Sequence, residues 1–473
     1  MCGIVGIRAP GRDVARLAYF GLFALQHRGQ ESAGIAVSDA GRLTAMRDMG
    51  LVAQVFSEQK LNGLHGDVAI AHTRYSTTGS TAWANAQPLV QHGRARTVAL
   101  GHNGNLTNTA SLRDELAESG LRLSSSSDTE AIAALIANDE QPLVETVAGA
   151  MGRLEGAYSV VALSEGKLVA FRDPHGFRPL ELGQLGDDWV VASETCALDL
   201  MGATWARSLE PGELILVDGD GLHTDRGVPR AERGALCIFE YVYLARPDSS
   251  LDGVEVYGAR VRMGERLAGE APVEADVVMP IPDSGTPAAI GFARASGIPF
   301  GEGLIKNRYV GRTFIQPEHG MREQGIRMKF NPLTEVAGKR VVVVDDSIVR
   351  GNTIRQITAM LFAGGAREVH IRVSSPPIVS PCFYGIDFGD DDQLVAAYRT
   401  EAEVADLVGA TSLAHLSLGG MQEAVRRLES EVCRACFTRR YPTPPPSDHR
   451  LAKHRFEAPA PEPAGRAPAG LRR

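Results

Sequence analysis

The chain has 473 residues, 44% of them hydrophobic, and a formal net charge of −8. That length allows two domains with their own cores and a tail. The acidic balance excludes general nucleic-acid binding, no apolar run reaches the length of a membrane span, and no secretory signal opens the chain, so a cytoplasmic protein is expected.

The N-terminus reads MCGIVGI. Removal of Met1 makes Cys2 the first residue. Its thiol is then a nucleophile, and its own α-amine, with a free pKa of about 7.7–8.0, is a base within the same residue. HRGQESAGIA (27–36) sets two glycines in a polar turn before an apolar strand. HTRYSTTG (72–79) follows the strand DVAIA and puts Arg74 at a strand end. GHNGNLTN (101–108) follows the strand TVAL. In SSSSDTE (124–130), Asp128 caps or precedes the helix TEAIAALIA. From Gly156 to Asp225 short strands and turns alternate, as in antiparallel sheets covered by helices. Cys196 lies among apolar residues as an inert core thiol.

These four motifs together resemble the N-terminal-nucleophile glutamine amidotransferases, and the match spans residues 2–232. The resemblance implies an α+β domain of αββα layers. It also implies roles. Cys2 attacks the glutamine side-chain carbonyl to form a thioester, and the Asn103 side-chain amide with the Gly104 N–H forms the oxyanion hole. Arg74 pairs with the α-carboxylate of glutamine as a two-pronged fork, and Asp128 binds its α-ammonium. His27, His72 and His102 are read as structural, because this chemistry needs no imidazole.

From about Gly234 the text changes to CIFEYVYLARPDSSLDG and a helix, VYGARVRMGERLAGEA. The strand ADVVMPIP ends in the loop PIPDSGTP (280–287), whose backbone amides can cradle a diphosphate. GLIKNRYVGRTFIQ (303–316) carries Lys306, Arg308 and Arg312 and reads as a basic lid. Then comes VVVVDDSIVRGNT (341–353). Four valines in a row predict a strand buried on both faces of a parallel sheet. Asp345 and Asp346 stand at its C-terminal end, where open α/β sheets bind ligands. Ser347 to Thr353 form a loop with Gly351 before a helix, a nest for phosphate. The two carboxylates suit ribose hydroxyls and Mg²⁺.

This run resembles the 5-phosphoribosyl-1-diphosphate (PRPP) signature of type I phosphoribosyltransferases, which implies an α/β domain with a parallel sheet at residues 233–395. The resemblance gives PRPP the residues Asp345, Asp346, Ser347, Arg350, Gly351, Asn352 and Thr353 at one loop. It adds Asp283, Ser284 and Lys306 around the other. Mg²⁺ falls to Ser284, Asp345 and Asp346.

Four cysteines remain: Cys237, Cys382, Cys433 and Cys436. The last two form C-x2-C, a thiolate-pair spacing that suits zinc or iron–sulfur alike. The two signatures in order resemble the amidophosphoribosyltransferase family over about residues 1–440. Its Bacillus-like subgroup has a 4Fe–4S cluster at matching positions: Cys237 before FEY, Cys382 before FYGID, and CxxCF near the end. That subgroup usually has a short propeptide before the catalytic cysteine; here only Met1 precedes it.

The family resemblance implies that glutamine, PRPP and water give 5-phosphoribosylamine, glutamate and diphosphate, the first step of de novo purine synthesis. Ammonia would pass from Cys2 to ribose C1 unprotonated. Purine nucleotides are expected as feedback inhibitors and a homo-tetramer as the assembly, with neither nucleic acid nor membrane as partner. Residues 396–440 are expected to form C-terminal helices carrying cluster ligands, and 441–473, rich in Pro, Ala and Arg, a disordered tail. A regulator that binds PRPP without turnover is the competing reading. It would have no use for Cys2, Arg74, Asn103 and Asp128.

Overall fold

The computed structural model describes residues 1–76, 79–307, 328–388 and 390–446. Arg308 and Arg312 of the basic segment, and the tail beyond residue 446, lie outside the described residues.

The first domain is two stacked antiparallel sheets. Its strands are β1 (Gly3–Arg8), β2 (Ser32–Asp39), β3 (Arg42–Met49), β4 (Val68–Arg74), β5 (Leu89–His92), β6 (Thr97–Leu106), β7 (Gly156–Ser164), β8 (Lys167–Arg172), β9 (Glu181–Leu185), β10 (Asp188–Ala192), β11 (Thr204–Ser208), β12 (Glu213–Asp218) and β13 (Gly221–Arg226). One sheet runs β11-β9-β10-β1-β4-β2-β3 and the other β13-β12-β8-β7-β6-β5.

The two-residue period of the strands explains the layers. In β1, Val5 and Ile7 pack under the helices Val14–Ala24 and Thr195–Met201, while Ile4 faces the second sheet. In β7, Val161 and Leu163 meet Ile4 across that interface, and Val160 and Ala162 face the helices Thr109–Glu118, Asp128–Asn138 and Leu143–Met151. Strands apolar on both faces are what a four-layer αββα sandwich requires. Fully burying one Ile or Val side chain contributes about 1.5–3 kcal/mol.

The second domain has a parallel sheet of β14 (Val277–Pro280), β15 (Arg340–Asp345), β16 (Glu368–Val373) and β17 (Ser412–His415), in that order. Val342 and Val344 pack against the helices Val256–Glu270, Thr286–Ser296 and Leu418–Val425. Val341 and Val343 pack against Asn352–Ala363 and Glu401–Val408 on the other face. Helices on both sides account for the unbroken valine run.

Three expectations need correcting. Residues 396–440 are not a separate set of helices: they supply β17, and Val432–Cys433 pairs in parallel with Leu236–Cys237 at the start of the second domain. The stretch GGMQEAVRRLESEV, expected as one of those C-terminal helices, is helical only to Val425, where Arg426 turns left-handed at φ 59°. The tail does not begin free at Tyr441. The Tyr441 hydroxyl donates to the Pro381 carbonyl at 2.9 Å, and Thr443 bonds the Tyr384 hydroxyl at 2.9 Å.

Candidate active sites

The first site sits where the two sheets of the sandwich open. Cys2 immediately precedes β1, and the β1–β4 register pairs Gly3 with Thr73, which carries Arg74 to the Cys2 end. Asn103 and Gly104 arrive from β6 in the opposite sheet. The Cys2 N–H donates to Asn103 Oδ1 at 3.1 Å, and Cys2 Sγ lies 3.6 Å from the Tyr75 carbonyl. Asn103 is fully buried, and its Nδ2 has no hydrogen-bond partner among the described residues. Gly104 has φ +156°, and a Cβ there would stand 2.0 Å from the Ala157 carbonyl, so no other residue fits without moving the strand.

Asp128 is not the helix cap. Ser127 is, with its Oγ accepting the Thr129 N–H at 3.2 Å. Asp128 therefore enters the first turn with a free carboxylate, which accepts the Leu106 N–H at 3.1 Å and lies 3.6 Å from His102 Nδ1. Burial works against its ionisation, but His102 and the backbone donors outweigh burial and hold the carboxyl below its usual range. Arg74 donates to the carbonyls of Ser80 at 2.9 Å and Gly79 at 3.3 Å, and lies 3.6 Å from Glu31.

Cys2, Arg74, Gly104 and Asp128 line one cavity, with Asn103 against Cys2. Tyr75, Gln87, Thr129 and His102 line it too. These four were not singled out in the sequence as site residues, and His102 was read as structural. Its position inside GHNGN, next to Asn103, was the available signal. His72 is structural as expected. Its Nε2 faces the His102 carbonyl at 3.1 Å, and burial drives it down to about 3, so it stays uncharged. His27 lies 2.7 Å from Glu194, away from the cavity lining.

The second site lies at the C-terminal ends of β14 and β15. The β14 loop comes in under β15: the Ile281 N–H donates to the Val344 carbonyl at 2.9 Å. A Cβ on Gly285 would stand 2.4 Å from that same carbonyl, which makes glycine a condition of the approach. Ser284 is thereby brought near the Asp346 carboxylate and favours its ionised form, and Ser347 Oγ donates to that carboxylate at 2.6 Å. Lys306 Nζ donates to Asp283 at 2.6 Å. Gly351 takes φ +75° just before the helix that starts at Asn352 and continues with Thr353. Arg350 of this loop is engaged elsewhere, with Nε on Gln393 at 3.0 Å, and the Val349 carbonyl accepts the Val395 N–H at 2.9 Å.

Burial and then Asp346 push Asp345 well above the usual carboxylate range, and burial also raises Asp346. Two adjacent carboxylates that resist ionisation beside a serine hydroxyl suit a hard divalent cation. Among the described residues no three His, Cys, Asp or Glu side chains gather to hold a metal ion. Mg²⁺ fits two carboxylates all the same, since it ordinarily completes its shell with water and substrate oxygens.

The four remaining cysteines also converge. Cys237 and Cys433 are in register across their parallel bridge. The Cys436 carbonyl accepts the N–H groups of Val379 and Ser380, at 2.9 and 3.1 Å, just before Cys382. Burial and then Arg178, Glu240 and Cys382 set the Cys237 thiol, which stands at about 11. Burial and the charge of Cys237 raise both Cys433 and Cys436. Four thiols whose charges act on one another fit an iron–sulfur cluster in their chemistry, although among the described residues no three of them gather as a metal site.

Residues 72–200 match the glutamine amidotransferase domain model, and residues 262–375 match the phosphoribosyl transferase domain model. The chain is 52% identical to an amidophosphoribosyltransferase of Synechocystis sp. over 464 residues, 96% of this chain and 94% of that one. It is 50% identical to the amidophosphoribosyltransferase of Mycobacterium tuberculosis over 470 residues, covering 96% and 89% of the two chains. The solved glutamine PRPP amidotransferase of Bacillus subtilis, complexed with ADP and GMP, superposes with a TM-score of 0.89 at 45% identity, over 95% of this chain and 99% of that one. Both domains and nearly the full length are thus shared, and the chain belongs to the amidophosphoribosyltransferase family, the glutamine-dependent PRPP amidotransferases of purine biosynthesis.

Proposed function

We propose that Cys2 hydrolyses glutamine and that the ammonia reaches C1 of PRPP, held at residues 345–353, without leaving the protein. One observation carries the first half: a thiol, an arginine and an ionised aspartate share a cavity beside Asn103 Nδ2, which has no partner among the described residues. Glutamine enters with its α-carboxylate toward Arg74 and its α-ammonium toward Asp128. Cys2 Sγ attacks the side-chain carbonyl, Asn103 Nδ2 and the Gly104 N–H receive the oxyanion, and the amide nitrogen leaves as ammonia. Water then opens the thioester to glutamate. The base is the Cys2 α-amine, freed by loss of Met1.

Ammonia released to water near pH 7 would become ammonium and lose its lone pair, so a closed path between the sites follows from the chemistry. At the second site, Asp345 and Asp346 steady the ribose as ammonia displaces diphosphate, with Lys306, Asp283 and the 281–286 loop around the leaving group. Ser284, Asp345 and Asp346 would hold Mg²⁺, which neutralises charge on the diphosphate when bound. Cys237, Cys382, Cys433 and Cys436 would hold a 4Fe–4S cluster, which ties the start and end of the second domain together. We further propose feedback by purine nucleotides, supported by the ADP and GMP found with the Bacillus subtilis relative, and a cytoplasmic homo-tetramer.

The test is diphosphate release from PRPP and Mg²⁺ on anaerobically purified protein, with glutamine or with ammonium. The reading requires activity with both, and loss of the glutamine reaction alone in Cys2→Ala. PRPP binding without release in either case would instead describe a regulator.

A further inference from the structure

We propose that Glu240, a residue of the second domain, fixes the Cys2 main chain through Arg28, so that glutamine hydrolysis depends on how the two domains are docked. The proposal rests on Cys2 being the nucleophile.

Arg28 Nε donates to the Cys2 carbonyl at 3.0 Å. Its two terminal nitrogens are taken by carboxylates. Nη2 donates to both oxygens of Glu240, at 2.8 and 3.0 Å, and Nη1 pairs with Glu194. The side chains of Arg28, Glu194 and Glu240 are fully buried. A guanidinium is planar, and two carboxylates on its far edge fix that plane. The direction of its remaining N–H, the one that holds Cys2, is then fixed as well.

Of the two carboxylates that anchor this plane, Glu240 belongs to the second domain, and Glu194 of the first domain is itself held by second-domain residues. Glu240 also accepts from Arg178 Nη1 at 3.3 Å, and Arg178 Nε donates to the Tyr384 carbonyl at 3.0 Å. Glu194 accepts the Ser249 hydroxyl at 2.6 Å and the Arg246 N–H at 2.9 Å. Burial disfavours its charge, yet His27 and Arg28 hold its carboxyl far below the usual range. The strand that carries Asn103 and Gly104 is held from the same side, since Asn105 Nδ2 donates to the Phe383 carbonyl at 3.0 Å. Glu240 itself opens a π-helical turn, Glu240–Leu244, an irregular form often found at functional sites. Nucleophile and oxyanion donors are therefore both referenced to the second domain. None of these groups lines the cavity, so Arg28 and Glu240 are positioning residues.

Replacing Glu240 by Gln leaves Arg28 with Glu194 as its only carboxylate. The guanidinium turns toward that partner and its Nε–H leaves the Cys2 carbonyl. Small misplacements of a reacting group cost large factors in rate, up to about a hundredfold for 1 Å. Full-length Glu240→Gln is expected to lower kcat for glutamine hydrolysis about tenfold or more, with the glutamine KM within about threefold and ammonia-dependent diphosphate release within about twofold. Alkylation of Cys2 by iodoacetamide should slow in step with kcat. Arg178→Lys, which keeps the charge and loses the planar fork to Tyr384, should shift the same quantities the same way by a smaller factor. If Glu240→Gln does not fold, Arg178→Lys decides alone. An unchanged kcat, or an equal fall of the glutamine and ammonia reactions, overturns the proposal. Glutamine hydrolysis surviving in Cys2→Ala overturns the underlying role of Cys2 instead.

Discussion

Asn103 holds Cys2 by one end of its amide: Oδ1 accepts the Cys2 N–H at 3.1 Å, while the buried Nδ2 has no partner among the described residues. Leaving a buried donor unpaired costs about 1–3 kcal/mol in the folded state. In the proposed reaction that cost is recovered only when negative charge forms on the glutamine carbonyl oxygen. Asn103→Ala is therefore expected to lower kcat for glutamine hydrolysis by roughly 10²–10³ with little change in KM. A steady-state glutaminase assay, with ammonia-dependent diphosphate release as the internal control, measures it. A kcat within threefold of the parent would end the oxyanion role.

Asp128 makes a different kind of contribution, because its charge exists before any reaction. His102 and two backbone donors keep it ionised in spite of burial. A charge-assisted bond to the α-ammonium is worth about 1.5–3 kcal/mol, so Asp128→Asn should raise the glutamine KM roughly 10- to 100-fold and leave kcat nearly intact. Glutamate inhibition constants measured on the same variant should weaken in parallel. A fall in kcat at constant KM would assign Asp128 to chemistry and not to binding.

Much of this could be read in the chain because both signatures are local. Four valines before Asp345, and the glycine at 351, each state a backbone requirement within a few residues. Antiparallel sheets covered by helices were legible in the alternation of short strands and turns, while the αββα layering came from the family resemblance. What was not legible depends on distance in sequence. Arg28, Glu194 and Glu240 are ordinary charged residues until the fold brings them together over 166 and 212 positions. His102 was set aside on chemical grounds, and only the helix turn that brings Asp128 to 3.6 Å makes it part of the site. The segment 396–440 was read as separate because nothing in Ser412–His415 announces that this strand finishes a sheet begun at Val277.

Gly285 offers a test of the diphosphate loop that needs no catalytic residue. A Cβ there would approach the Val344 carbonyl to 2.4 Å, a backbone atom that cannot swing aside. Gly285→Ala must lift residues 281–286 off β15, and Ser284 moves away from Asp346 with them. The PRPP KM is expected to rise about tenfold or more in both the glutamine and ammonia reactions, through loss of positioning in the bound state. The KM for glutamine in PRPP-free hydrolysis should stay put. An unchanged PRPP KM would mean the loop does not hold the diphosphate.

Glu181 gives the stability of the chain a pH dependence. It is fully buried, with Trp205 Nε1 donating to Oε2 at 2.8 Å and Ser208 Oγ at 2.7 Å, while Oε1 has no partner among the described residues. Burial, and then the charge of Asp252, raise its carboxyl from 4.5 to about 7. The folded chain thus keeps a proton that the unfolded chain releases near pH 4.5. As pH climbs from there, the unfolded state gains by ionising and the folded state does not, so stability falls until the folded carboxyl also ionises near pH 7. The loss levels off above that value and is on the order of 3 kcal/mol when complete. Glu181→Gln, which keeps an oxygen for Trp205 and Ser208, should remove this component. Its thermal midpoint relative to the parent is then expected to rise between pH 5 and pH 8, and most of the rise should come below pH 7. Parallel melting curves across that range would show that Glu181 is ionised in the fold and that Arg172, which pairs with Asp252 at 3.2 Å, supports its charge as well.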